Sequence, residues 1–428
     1  MVDSDPVKHF AREWSLVRRS PAEVVDDARH ADIVVVPVAE LPALVETGRF
    51  LPVPPDLLGR EHPYQWDSLL PLFANLFSSW AGQTYGIPLT GDGTVLLYRS
   101  ERLRAAGLDG PQTWEELVAA AKKLGPNSLP ALPRSAGGLM DEFNLIAVSY
   151  DSIAFQQGDV GVGIPDEESA DRLFSFHYRL SDQSPRIAAP AFVRAFDLMR
   201  QMQPLRSSAV DAFGTGEASF AIASLADVAR YQRPGSPVRG LFGVTAVPGS
   251  RHTYDLVTGT MTPTQGNTIN RVPYAGAGSL VGLVSSSCSN PELAFEFLTS
   301  FAHPEKLGTE LITAAKWGAG PLRVNHLEDR GRGLWLGFDL PLVETERLIA
   351  ALKLSGNQSI TNPRFPMRLP NQGEHLAEFD RLVRPALLNG SSDSKTVLQR
   401  VAEAWEQLWR TVPPAQRRTW IQSQYGLN

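Results

Sequence analysis

Asp92 stands in the glycine-flanked bend Thr90-Gly91-Asp92-Gly93. A carboxylate there can accept hydrogen bonds from ligand hydroxyls, pair with an amine, or turn back on its own backbone as an Asx residue. Thr90 and Thr94 bring a hydroxyl to either side of it. Glu40 follows a β-branched run, where a carboxylate is either the solvated start of a helix or a second polar group for a ligand. Two carboxylates without geometry do not separate hydrolysis from hydrogen bonding. Nothing else assembles a reactive centre. The 8 histidines show no HxH or HExxH spacing, and neither GxSxG nor GxxxxGK[ST] occurs, which argues against zinc, an acyl-transfer nucleophile and a phosphate loop. Ser392-Asp393-Ser394-Lys395 spells SxxK but lies where a helix needs a cap. Cys288, the single cysteine, can form no internal disulfide and has no nearby His or cation cluster to activate it. No catalytic residue, metal or cofactor is expected, and binding is the chemistry left.

The composition narrows the partners. A chain of 428 residues accommodates about two to four units of ~100–200 residues each. It carries 40 Lys and Arg against 46 Asp and Glu, a net charge of -6, with no long run of either sign, so nucleic acid is not an expected partner. Only 20% of residues are charged, while 35 glycines and 33 prolines imply many short elements joined by defined turns, a mixed α/β chain. No stretch of ~18 uncharged apolar residues occurs, and the first residues lack a basic segment followed by an apolar run, so no export signal is read.

The elements that must position these residues follow from periodicity and caps. Residues 6–14 carry Val7, Phe10, Ala11 and Trp14 on one face, and Ser20-Pro21 opens a second helix. Ala31-Asp32-Ile33-Val34-Val35-Val36 reads as a strand buried on both faces in a parallel sheet, with a helix over 38–48 after it. Trp66, Phe73, Phe77 and Trp80 are placed in the core. Residues 87–98 are two strands meeting at the Asp92 bend, a candidate hinge. Thr113-Trp114-Glu115-Glu116 is a capping box that fixes the start of the next helix. Residues 126–138 and 159–165 are connectors; Gly161 and Gly163 lack the third glycine of a dinucleotide fingerprint. Residues 190–203 form a helix with Phe192, Ala195, Phe196 and Met199 inward, and residues 290–298 one with Leu293, Phe297, Leu298 and Phe301 inward. Residues 393–410 are strongly amphipathic; the tail after Pro413-Pro414 takes no role.

The order YGIP, Asp92, a strand ending at Tyr98, AAGL, PQTWEEL and AAKKL over residues 85–125 resembles the signature region of the family 1 extracellular solute-binding proteins, the receptors of ABC importers for sugars and related solutes. The FGTGEASFAI segment from Phe213, the NPELAFEFL helix from Asn290 and the HPE that follows it are similar to further landmarks of that family. The resemblance implies an α/β, two-lobed periplasmic-binding-protein-like (type II) fold, each lobe a mainly parallel sheet flanked by helices, with a ligand cleft between lobes. It implies a first lobe of residues 1–92 with 278–320, a second of 93–277 with 321–428, and crossovers near 91–94, 275–279 and 318–323. It implies a monomer outside the cytoplasm that captures a solute by hinged closure and delivers it to ABC permease subunits. Asp92 then falls at the family's cleft acid beside the hinge, with Gly91, Thr90, Thr94 and Glu40 nearby. Gly278 and Ser279 either offer backbone amides to the ligand or form a plain bend between lobes. Trp317 is either a stacking face or buried; Arg323 and Arg368 are either on the cleft rim, favouring an anionic ligand, or solvated at the surface. Ser224, Leu225, Ala226 and Asp227 occupy the place where many sugar receptors carry an aromatic. A glycan-processing enzyme using the same cleft, or a protein-docking scaffold, are the alternatives.

Overall fold

The computed structural model of the protein describes residues 31–151, 171, 173–255, 258–303, 320–356, 364–390 and 392–427. The helices expected at 6–14 and from Ser20, the turn at 159–165, Trp317 and positions 318–319 of the third expected crossover lie outside the described residues.

The β-branched run forms β1 (Ile33–Pro37), and Glu40 leads it into a short helix, α1 (Leu41–Val45). A wide, π-helical turn covers Leu72–Phe77. The hairpin of β2 (Ser79–Trp80) and β3 (Gln83–Thr84) precedes β4 (Ile87–Thr90). Beyond the Asp92 bend, β5 (Thr94–Arg99) begins a different sheet, so the two strands expected to meet at the bend do so without pairing.

Four helices follow: α2 (Ser100–Ala105), α3 (Trp114–Leu124), α4 (Ala136–Asp151) and α5 (Pro190–Met202). The α3 cap is the expected one on the threonine side, where Thr113 Oγ1 accepts the Glu116 amide at 3.2 Å. Glu116 reaches one residue further back than a capping box requires and accepts the Gln112 amide at 2.7 Å. The inward face of α5 is as read, with Phe192, Ala195, Phe196 and Met199 all buried. Next come β6 (Phe220–Ser224), α6 (Leu225–Tyr231), β7 (Phe242–Ala246), the hairpin of β8 (His252–Tyr254) and β9 (Met261–Pro263), and β10 (Leu280–Val284). α7 (Pro291–Phe301) starts at Asn290, whose side chain accepts the Leu293 amide at 3.2 Å. Its buried face is Ala294, Phe295, Leu298 and Phe301; Leu293 is 59% exposed, which corrects the expected inward position. The chain closes with α8 (Val324–Leu327), α9 (Arg332–Leu336), α10 (Leu342–Ser355), α11 (Gln372–Asn389), α12 (Ser394–Arg410) and α13 (Pro414–Gln424). Asp393 caps α12 by accepting the Thr396 amide at 3.0 Å, so the SxxK letters are a helix start.

Two three-stranded sheets organise the described chain, in the orders β1-β10-β4 and β6-β5-β7. Every pairing in them is antiparallel, which corrects the expected mainly parallel sheets. The reason is the path of the chain. β1 and β4 end at the Asp92 side, with Pro37 and Thr90 both beside Leu280. β10 starts at that side and runs between them in the opposite sense. The second sheet repeats the arrangement: β5 starts at Thr94, while β6 and β7 end beside it, at Ser224 and Ala246. The strand that arrives from the other sheet must run outward between strands that run inward. Among the described residues β1 is an edge strand, and Ile33, Val34 and Val35 are half-buried rather than covered on both faces.

The hydrophobic core has two parts. The larger joins the first sheet to α3, α4, α5, α11 and α12; the smaller lies under β5, β6 and β7 and includes Trp335, Leu348 and Leu352 of α9 and α10. Among the described residues, no helix is long and apolar enough to cross a membrane.

Candidate functional site

Where the chain leaves one sheet for the other, backbone runs against backbone. Gly91 pairs with Gly320 in an antiparallel bridge. A Cβ added to Gly91 would lie 1.9 Å from the Pro321 oxygen, and one added to Gly320 would lie 2.1 Å from the Asp92 carbonyl carbon. Neither position has room for a side chain, so Gly91 acts through its absence of one. Next to this pair, Asp92 anchors a third stretch of backbone. Its carboxylate accepts the Gly93 amide at 2.7 Å and the Gly276 amide at 3.1 Å. Burial pushes the Asp92 carboxyl up, and the amides of Gly93, Gly278, Gly276 and Ala277 pull it back toward the charged form. Gly276 has φ +97°, and a Cβ there would meet the Phe77 ring at 2.7 Å, so only glycine presents this turn to Asp92.

The Gly278 and Ser279 amides are therefore not offered to a ligand. Gly278 faces Asp92, the Ser279 amide donates to the Gly276 oxygen at 3.4 Å, and the Ser279 oxygen accepts from Val38 at 3.0 Å. Thr90 is buried at the end of β4, and its hydroxyl oxygen accepts the Leu280 amide at 3.0 Å, where the β10–β4 register shifts. Of the residues expected to touch a ligand, the structure brings Asp92 and Thr94 to one cavity.

That cavity measures about 310 Å³, at the lower end of the range for small-molecule sites. Leu70 to Phe73, Asn75 and Leu76 line one side, Asp92 to Thr94 the floor, and Pro273 to Ala275, Pro321, Ser355 and Gly356 another wall. Phe365, Phe174 and Tyr425 complete its lining with Gly426. Glu40 stands at the start of α1, away from this lining. Sequence reasoning placed Phe73 in the core, and it is both core and wall. Tyr425 belongs to the tail that carried no reading. The π-helical turn carries Leu72, Phe73, Asn75 and Leu76 into the wall; such turns recur at functional sites, but its sequence reads as ordinary helix.

A polar relay lies behind the wall. The Tyr274 hydroxyl donates to Asp141 at 2.6 Å and accepts from the Asn144 side chain at 3.2 Å; Asn144 Oδ1 contacts His177 Nε2 at 3.3 Å. Burial pushes the Asp141 carboxyl up to about 7, against the Tyr274 hydrogen bond and with the help of the Asp92 charge. Burial and the Arg364 charge hold His177 near 3, in its neutral form.

Arg323 and Arg368 are neither rim nor surface residues, and this corrects both expected placements. Arg323 is 1% exposed and Arg368 fully buried. Arg323 donates to the Gln65 oxygen at 3.0 Å, the Ala302 oxygen at 3.1 Å and the Ser68 hydroxyl, with its guanidinium 4.8 Å from the Tyr64 ring centroid. Arg368 donates to the Val38 oxygen at 3.3 Å and the Ser79 oxygen at 3.1 Å and lies over Phe77; burial pushes it down to about 9. Each guanidinium ties distant segments together through backbone carbonyls. The sequence offered no sign of this, because a lone arginine near prolines reads the same in a core as on a surface. Ser224 and Asp227, in the place of the expected aromatic, form the capping box of α6: Asp227 accepts the Ser224 amide at 3.2 Å and Ser224 the Asp227 amide at 3.2 Å.

A family model described as bacterial extracellular solute-binding protein matches residues 22–323. No curated protein matches by sequence. Among solved structures, an ABC transporter solute-binding protein of Agrobacterium radiobacter K84 in complex with ribitol is similar at TM-score 0.67 and 17% identity, over 90% of this chain and 87% of that one. The maltose-bound MalE3 of T. maritima is similar at TM-score 0.63 and 17% identity, over 90% and 87%. The GacH receptor of Streptomyces glaucescens GLA.O, solved unliganded and with acarbose, is similar at TM-score 0.62 and 15% identity, over 91% and 87%. At these identities the likeness is one of fold, that of two-lobed binding proteins.

Proposed function

The chain belongs to the bacterial extracellular solute-binding protein family, and on that premise we propose that it captures a small solute of the sugar, polyol or oligosaccharide kind without transforming it, for delivery to an ABC importer. The observation that carries the reading is the cavity walled by residues from both sides of the Asp92 passage, at the place where the chain changes sheets. Residues 1–92 with 278–320 would form one lobe and 93–277 with 321–428 the other, hinged near 91–94, 275–279 and 318–323. Closure would bury the solute between them. Asp92 holds the second of these crossovers through its amides, and Thr94 reaches the solute with its hydroxyl. Asp92 serves the scaffold first, since its carboxylate already accepts backbone donors; a base or nucleophile needs that capacity free. The ribitol, maltose and acarbose bound by the structural neighbours support the solute class, and the permease partner and a site of action outside the cytoplasm follow from the family.

The test pairs a thermal-shift panel of polyols, mono- and oligosaccharides with small-angle scattering. A hit should raise Tm by mass action and shrink the radius of gyration, with the compound recovered unchanged. Conversion of the hit to product would replace capture by catalysis.

A further inference from the structure

We propose that the solute is amphiphilic: a sugar or polyol end attached to an apolar body, with the apolar body supplying most of the affinity. The inference rests on the receptor reading and concerns the chemistry of its cleft. The polar side chains around the cavity are nearly all committed. Tyr274 is held between Asp141 and Asn144, the Ser355 hydroxyl donates to the Ala351 oxygen at 3.2 Å, and Asp92 accepts backbone amides. Among the described residues, that leaves Thr94 and the exposed Asn75 to serve a ligand, and no lysine or arginine faces the cavity.

A bare sugar presents hydroxyls around its whole rim, and each one buried without a partner loses its hydration with nothing in return. The wall offers something else. Phe73, Phe365, Tyr425 and Phe174 line the cavity, and the buried Phe77 behind them links Phe73 to Phe365 in one aromatic chain with centroid spacings of 5.3, 5.9, 5.4 and 6.0 Å. Leu72 and Leu76 extend the apolar side of the cavity. Covering such a surface stabilises a complex in proportion to the apolar area removed from water. A hydroxylated head at Thr94 and Asn75 with an alkyl or aryl body along the aromatic chain uses what the cavity provides.

Isothermal titration of the full chain with n-octyl and phenyl glucosides and maltosides, below their micelle concentrations, is compared with free glucose, maltose and ribitol. The expected result is at least tenfold tighter binding of an octyl or phenyl glycoside than of its free sugar. Leu72→Asn should abolish that preference while the unfolding midpoint stays in place. Equal or tighter binding of the free sugars overturns the inference and leaves the receptor reading standing. Binding of none of the compounds, with no change in scattering, overturns both. An affinity for octyl glucoside that survives both Leu72→Asn and Leu76→Asn overturns the inference as well, because the contact is then outside the cavity.

Discussion

The sheets β1-β10-β4 and β6-β5-β7 share one plan and differ in how their central strand is secured. β5 leaves the glycine passage and pairs in unbroken register with β6 over 94–98 and with β7 over 95–99. β10 arrives over a glycine turn, shows a register shift against β4 at Leu280 and Val281, and has its approach tied down by the Asp92 carboxylate. Steric closeness secures one and the hydrogen bonds of a buried carboxyl group secure the other. Glycine lets backbones meet where three segments cross, and a carboxylate gathers amides that no strand partner satisfies.

The sharpest way to break this comparison is to fill the steric passage. Gly320→Val sets a side chain against the Asp92 backbone, which cannot rotate aside; a loss of about 3 kcal/mol or more is expected, read as a fall in the urea midpoint without change of m. Removing the hydrogen-bonded tie should do less. Asp92→Ala leaves amides of the 276–278 turn without an acceptor, at a cost of about 2 kcal/mol, and amide exchange at Gly276 should accelerate while exchange within β5 does not.

Asp141 gives a smaller and pH-dependent effect. Its folded pKa lies above the unfolded value near 3.9, so the folded state binds the extra proton and its stability falls as pH rises from about 4 to 7. Asp141→Asn should therefore be more stable than the parent by about 1–2 kcal/mol at pH 8 and no different at pH 4. His177 and His375, pushed down by burial to about 3 and about 4, act in the opposite sense, weakening the fold as pH falls below 6.5; the difference between variant and parent cancels them. The smallest effect is the control glycine. Gly333 in α9 has nothing within 4 Å of an added Cβ, and Gly333→Ala should stabilise by about 0.5–1 kcal/mol, confining the intolerance to the crossing.

Much of the fold was legible because it rests on local rules. The cap at Thr113, the helix start at 392–395 and the inward face of α5 follow from side-chain reach and helical period, and the structure bears them out. Strand direction was not legible, since Ile33 to Val36 reads alike beside a parallel or an antiparallel neighbour, and the neighbour lies far along the chain. The site was legible in part. Asp92 and Thr94 stood out as polar residues beside glycine, but the walls come from aromatics and leucines whose spacing equally suits a core. Tyr425 could not be placed, because only tertiary structure brings it to Phe365. Arg323 and Arg368 were misplaced because burial of a guanidinium depends on carbonyls supplied by remote segments.

The interior position of β10 has a consequence during synthesis. The Thr90 hydroxyl and the Leu280 amide that it receives are 190 positions apart, so at about 5–20 residues per second β1 and β4 wait roughly 10–40 s for the strand that separates them. Throughout that interval the nascent chain carries two unpaired strand edges, which are templates for association with other chains. The exposed edges belong to the ribosome-bound intermediate, rather than to the finished receptor, in which β10 fills the gap between them.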